Sequence, residues 1–347
     1  MPNYLCSREA VKRAVKIYGS DQNSIVDRLI DGESRRFEAE TRRYFIPRTE
    51  TRLYRWPQRD MPAGMLWLDQ DLLSVTSLKA QAQDATPTTI PAADYFLEPY
   101  NVSPYNRIEI DLSSSSVFAS GATPQRSIEV AGVWGYSQAT KASGTVASGL
   151  AASAAATSCV LSNGALIDVG DTLLCESERI FVTEKAIGAA TTTTTGSLSG
   201  DKSVVTVPLT AAVSVGEVIQ IDSELMLVTS VAALNMTVIR AWDGSVLAAH
   251  NSGASVYAFR TLTITRGVNG TTAATHADTT ALTKYTPEAD VVEAVIASTI
   301  AAYMQEQSGW GRVVGGGEGQ IEFSGSSLRE IRKRVVQTYK RRLSGAV

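Results

Sequence analysis

Val215–Thr229 reads VGEVIQIDSELMLVT, and Val169–Thr183 reads VGDTLLCESERIFVT, so that Val, Gly, Ser, Glu, Val and Thr coincide at a constant offset of 46 residues. The segment that follows, MTVIRAWDGSVLAAHNSGASVYAF (236–259), instead matches a later stretch, LTITRGVNGTTAATHADTTALTKY (262–285), at an offset of 26. Arg240 pairs with Arg266, Gly244 with Gly270, Ala248 with Ala274 and His250 with His276. The earlier partial copy lacks a second half and the later one lacks a first. Together they make one outer module, residues 158–185 plus 261–285, interrupted by a complete inner copy, residues 203–260. Such an insertion survives where its two ends leave the host at neighbouring surface points. Both copies alternate apolar and polar residues, and Asp243-Gly244 and Asn269-Gly270 occupy the same repeat position. Asx-Gly between strand-like residues is a hairpin signal, so two small β modules are predicted, joined by 186–203 with its run of five threonines.

Outside this lobe the chain has room for a further core: it is 347 residues long. Its 32 Lys and Arg against 35 Asp and Glu give a formal charge of −3, which argues against a globally basic nucleic-acid binder. Three cysteines, Cys6, Cys159 and Cys175, without Cys-x-x-Cys spacing indicate neither a disulfide framework nor a zinc site. No apolar signal segment opens the sequence, and the apolar run Ala294–Met304 is too short to span a bilayer. A protein assembled in a reducing cytoplasm, with no membrane partner, is expected.

At the N-terminus Ser7 can cap a first helix that Gly19 stops, and a second can start at Asp21 with Val26, Leu29, Ile30, Phe37, Thr41 and Tyr44 near one stripe. Nine arginines between Arg28 and Arg59 are interleaved with acids, a pattern of a solvated, ion-paired face or of a partner surface. From Thr49 short runs rich in aromatic and β-branched residues predict a small antiparallel sheet. Residues 137–157 form an Ala/Ser/Gly/Thr tract read as a linker. After the modules, Thr286 and Pro287 open a largely apolar helix, fit for a core or a subunit interface. A Gly-rich connection then leads to Ser327-Leu-Arg-Glu330, a capping box. The last helix it opens carries Leu328, Ile331, Val335, Tyr339 and Leu343 on one stripe, with seven basic residues against one acidic between Leu328 and Leu343.

The order ESRRFEAETRRYF (33–45), TRLYRWP (51–57), LWLDQDLLSVTSL (66–78), DYFLEPYNVSPYNRIEI (94–110) and IEVAGVWGY (128–136) resembles the head–tail adaptor, or connector, proteins of tailed phages. The resemblance covers about Tyr4–Tyr136 and resumes near Pro287; compact members of that family lack the inserted modules. It implies an α+β fold: a helical adaptor core from 1–136 and 286–347 with a small antiparallel sheet, carrying the all-β lobe as an insertion. It also implies a virion structural protein of the neck: a homo-oligomeric ring of twelve beneath the portal protein and around the DNA channel. Further partners would be neck or tail-terminator proteins below the ring, and the capsid or a fibre through the lobe. In this reading Leu328, Ile331, Arg332, Val335, Tyr339 and Leu343 dock onto the portal, and Gly315, Gly316, Gly317 and Gly319 form a hinge. The alternative is a tail, baseplate or decoration protein whose β modules bind a glycan or another surface ligand.

No enzyme, metal or cofactor is expected. Glu178 and Glu224, Arg240 and Arg266, and His250 and His276 are repeat-equivalent, but one His and one Glu per module fall short of a zinc site. These residues are expected instead to hold each module's own turns. Gly315–Gly319 lacks the Lys-Ser/Thr of a phosphate loop, and Asp69 with Asp71 lacks a third acid for magnesium. The basic terminal helix fits three roles: a solvated face, a DNA-contacting arm or a docking helix.

Overall fold

The computed structural model describes residues 3–59, 62–211, 213–307, 313–314, 321–322 and 325–341. Helix α1 (Arg8–Val15) is capped by Ser7, whose Oγ accepts from the Ala10 N–H at 3.2 Å, and it stops where Lys16 turns left-handed. Helix α2 (Asn23–Thr41) buries Val26, Ile30, Ser34, Phe37 and Thr41, the spacing of one helical face. A sheet follows, built from β1 (Arg48–Tyr54), β2 (Met65–Ala80), β3 (Thr88–Ile90), β4 (Tyr95–Glu98), β5 (Tyr105–Ile110) and β6 (Ile128–Trp134). Its order is β1-β6-β2-β5-β4, with β3 on β2. Leu66, Leu72, Ile108, Val130 and Trp134 fill its core, and the Trp134 indole N–H donates to the Glu50 carbonyl at 3.0 Å.

The outer module begins with β7 (Thr140–Thr145), β8 (Ser158–Val160), β9 (Thr172–Cys175) and β10 (Glu178–Ala186). The inner module then contributes β11 (Thr192–Thr193), β12 (Thr206–Pro208), β13 (Val218–Ile221), β14 (Glu224–Ala232), β15 (Asn235–Ile239) and β16 (Ser255–Ala258). The outer module resumes with β17 (Thr261–Thr265) and β18 (Ala281–Tyr285). Strand order is β7-β18-β9-β10-β17-β8 in one and β11-β16-β13-β14-β15-β12 in the other, the same topology. The register repeats too: Val182 faces Ile264 as Val228 faces Val238, and both pairings shift register just beyond. Each sheet curls until its edges meet, through bridges Val146–Leu161 and Thr194–Leu209, which leaves no long open edge. Each module fills its own core, around Ile180, Val182 and Ile264 or around Met226, Val228 and Val238. The inner module leaves the outer between Ala186 and Thr261, which are paired residues of β10 and β17.

Helix α3 (Ala289–Gln307), a short pair β19 (Val313–Val314) with β20 (Ile321–Glu322), and helix α4 (Gly325–Tyr339) complete the chain. Both ends of the chain meet in one core: Val11 of α1, Val26, Ile30 and Phe37 of α2, Val291 and Val295 of α3, and Val335 of α4. Among the described residues no helix is long and apolar enough to cross a membrane.

The expectation of a helical core with a small sheet and an accessory lobe is corrected. The chain is mostly β, with three six-stranded antiparallel sheets and four helices among the described residues. The sheet expected to be small has six strands, as many as each module, and the stretches read as linkers add two short strands more. Residues 137–157 supply β7, which pairs with β18, and 186–203 supply β11, which pairs with β16. Both modules therefore start earlier than the 158 and 203 taken from the repeat.

Candidate functional site: paired buried clusters and a basic terminal helix

In both modules the repeat-equivalent Glu, Arg and His converge. Glu224 opens β14 directly after a left-handed turn at Asp222, and Glu178 opens β10 after the same turn at Glu176. Arg240 grips Glu224 with two hydrogen bonds of 2.7 Å, and Arg266 grips Glu178 with two of 2.6 Å. The backbone N–H groups of Ala241 and Ala248 donate to Glu224, and those of Gly267 and Ala274 to Glu178. His250 Nε2 lies 2.9 Å from Glu224 and its Nδ1 2.7 Å from Asp222; His276 is placed likewise, 2.8 Å from Glu178 and 2.7 Å from Glu176.

The buried Glu and Arg side chains are fully shielded from solvent. Burial alone would push each carboxyl up. For Glu178 it is outweighed by Arg266, the Ala274 N–H, His276 and the Gly267 N–H; for Glu224, by Arg240, His250 and the N–H groups of Ala241 and Ala248. Both carboxyls are held at about 2. Five donors reach each carboxylate, which offers about four lone-pair sites, so none remains for a metal or a substrate proton. The arrangement ties the β9–β10 or β13–β14 hairpin to the loop after β17 or β15, and it anchors rather than reacts. Asp222 and Glu176, which face the His Nδ1 atoms, were missed in the sequence. Their signal was an acid at both positions of the 46-residue repeat.

Asp69 and Asp71 do not share a site. Asp69 accepts from Arg52 and the Tyr54 hydroxyl, whereas Asp71 lies between Arg43 and Arg341. Burial pushes the Asp71 carboxyl up against the pull of Arg43 and Arg341. Among the described residues no group of three or more His, Cys, Asp or Glu side chains is arranged to hold a metal ion.

The terminal helix is placed differently from the docking expectation. Val335 is buried in the shared core, and Ile331 is half-buried. Tyr339 packs edge-to-face with Phe45 and Tyr136, with ring centroids 5.7 and 5.3 Å apart, and its hydroxyl donates to Asp290 at 2.8 Å. Arg332 binds Glu33 and Glu40, and Arg341 donates to the Leu68 carbonyl at 2.9 Å. Val335 and Tyr339, from the stripe expected to fill a partner's groove, are thus covered by this chain's own residues. An amphipathic helix looks the same in sequence whichever chain covers it. The side chain of Leu328, and Leu343, Gly315, Gly316, Gly317 and Gly319 altogether, lie outside the described residues.

The described positions that α4 leaves exposed are Glu330, Lys333, Arg334, Gln337 and Thr338, and exposed Lys340 follows directly after the helix. Beside it runs the exposed face of α2, where Arg28 pairs with Glu306 at 2.7 Å, Arg35 with Asp31 at 2.9 Å and Arg36 with Glu40 at 3.0 Å. A shallow open groove separates the two helices, lined by Arg36, Glu40, Lys333, Val336, Gln337 and Lys340. No protein-family model, no curated protein and no solved structure matches the chain.

Proposed function

We propose that this chain is the repeating subunit of a head–tail adaptor ring in a tailed phage, joining the portal to the neck and tail and surrounding the DNA channel. The observation that carries the reading is the joining of the chain's two ends. The segments with adaptor-like phrases, α1 to β6 and α3 to α4, pack into one helix–sheet unit, and the nested modules hang from it between β6 and α3. Insertions attached in that way lengthen a subunit outward without disturbing the surfaces through which it assembles. Work of this kind is assembly, and the saturated Glu–Arg–His clusters fit it, since their polar groups are consumed in holding shape. A heterologous interface repeated about an axis would close the ring.

Because Val335 and Tyr339 are core residues, docking to the portal is assigned to the exposed side of the helix–sheet unit rather than to the apolar stripe of α4. Negative-stain microscopy of the purified chain, alone and mixed with its portal, tests the reading. Rings, or monomers that become rings on portal, are expected. A monomer or trimer indifferent to portal overturns the proposal, and glycan binding by such a species would mark a tail or decoration protein instead.

A further inference from the structure

We propose that the exposed face of α2 and α4 is a track for the phosphate backbone of nucleic acid. This rests on the reading of the chain as a channel-lining subunit, and it makes that face the one turned to the channel.

Arg28, Arg35 and Arg42 recur at intervals of seven and are all exposed. Seven residues are about two helical turns, so Arg28 and Arg35 point the same way about 10 Å apart along α2, and Arg42 follows as the left-handed residue that ends the helix. Between them the exposed positions on this side are Gly32 and Ala39, small enough to admit a backbone close to the helix. Arg36 carries the positive face across to the groove, where Lys333 and Lys340 stand on the α4 side, seven residues apart again. The only acid lining the groove is Glu40, and it is already held by Arg36 at 3.0 Å and Arg332 at 3.3 Å. Among the described residues Arg42, Lys333 and Lys340 have no ion-pair partner. The pairs of Arg28 and Arg35 lie at the surface, where water and salt leave ion pairs too weak to keep phosphate from displacing them.

A continuous polyanion fits this spacing because it offers a charge at every step along the track. A partner helix laid into the groove would need apolar anchors, and among the described residues the lining offers only the half-buried Val336. Backbone phosphates present the same charge whatever the sequence, so contacts from a row of such cations are expected to position the nucleic acid rather than to read it.

The test is fluorescence anisotropy of a labelled DNA duplex titrated with the full chain over a series of salt concentrations. Binding is expected to weaken linearly in log affinity against log salt. The triple variant Arg42→Gln, Lys333→Gln, Lys340→Gln removes three cations and should flatten that slope by about 2.7. The paired control Lys141→Gln, Lys202→Gln changes exposed residues of the modules and should leave the slope as it was. The inference is overturned if the parent chain shows no binding at low salt, if the triple variant keeps the parent slope, or if the control flattens it equally. An acidic peptide that displaces the duplex at equal charge also overturns it, in favour of a protein partner. Ring formation on portal, followed by microscopy with the same proteins, is read separately. Rings that bind no duplex defeat this inference alone, whereas duplex binding without rings defeats the adaptor reading.

Discussion

The two modules share strand order, register and buried cluster, yet they are attached in different ways. In the outer copy the turn after β17 is a docking element. Asn269 exchanges amide hydrogen bonds with Asn3 at 3.0 Å, and its carbonyl accepts from the Thr49 N–H at 2.9 Å. Arg179 reaches Thr49 Oγ1 at 2.8 Å and the Tyr285 hydroxyl at 3.1 Å, while Tyr4 packs edge-on to Phe181. The inner copy has Leu225 and Leu227 at the positions of Arg179 and Phe181. Val169, beneath α1, is 1% exposed, and its counterpart Val215 is 55% exposed. The inner copy holds on instead through Glu217, which accepts from the Gly164 N–H at 2.8 Å and from Arg260 at 2.6 and 2.7 Å. The fold of a module therefore resides in its cluster and its ladders, and its neighbours are set by a handful of positions around them.

The sharpest way to break this comparison is to open one cluster at a time. Glu224→Ala leaves Arg240 buried without its counter-charge, at a cost of about 3–5 kcal/mol. Loss of hydrogen-exchange protection should be confined to about residues 188–260. Glu178→Ala should cost as much, but its loss should spread into the segment around Asn3 and into β1, because the outer copy is docked there. If both variants melt the whole chain together, the modules are not separate cooperative units.

A smaller difference is expected at the two turn glycines. Gly244 and Gly270 have φ of +76° and +79°, where any side chain is strained. A Cβ on Gly270 would also land on the Thr49 carbonyl oxygen, whereas one on Gly244 would lie 3.0 Å from the Tyr18 Cβ, on an exposed side chain. Urea unfolding should show Gly270→Ala costing about 2–3 kcal/mol and Gly244→Ala about 1 kcal/mol. Equal costs would mean that the outer turn is not held against β1.

Acid separates the modules from the helix–sheet unit in sign. Glu178 and Glu224, at about 2 when folded, would titrate near 4.3 in an unfolded chain, so their contribution is complete above that value and is lost as pH falls toward 2. Burial pushes Glu9 and Glu38 up to about 7, with Asp168 adding to the effect at Glu9. Those two bind protons more tightly when folded, and the stability they affect rises as pH falls from 7 toward about 4.3. Exchange rates resolved by region should therefore show α1 and α2 gaining protection between pH 7 and 5, and both modules losing it below about 4.3. Loss of protection by all regions over one window would contradict the assignment.

The smallest effect should come from the largest change. Replacing 187–260 by a two-residue Ala-Leu turn joins Ala186 to Thr261 in the geometry by which Ala232 already meets Asn235. The shortened chain should stay soluble and change the stability of the remainder by about 1 kcal/mol or less, measured by thermal unfolding. Aggregation would show that the inner copy is needed to cover the outer.

The nesting was legible because the central hairpins and the loops after them keep identical side chains where chemistry demands them: Glu, Arg, His and the Asx-Gly turn. The front of each module was not. There Thr145, Val146 and Leu161 correspond to Thr193, Thr194 and Leu209 at an offset of 48, not 46. These strands are two to six residues long and held by backbone pairing, and small residues supply most of β7 and all of β11, so the pattern fades into low complexity. The helical ends gave up their elements readily but not their partners. The run LWLDQDLLSVTSL (66–78) lies within one strand, β2, and Ser7 caps α1 as its side chain suggests. That Val335 and Tyr339 face this chain's own core depends on where α2 and α3 arrive, which no local pattern encodes.

The inner copy interrupts the outer at a defined joint, the connection from β10 to β17, and in the inner copy the same joint is the tight turn Ala233–Leu234 with Ala233 left-handed. Growth at that joint is recursive. A chain that has once accepted a whole copy of a domain in place of a two-residue turn keeps, at the tip of the new copy, an identical socket. Further domains can be grafted there generation after generation, each reaching farther from the root, while the root itself never has to be redesigned.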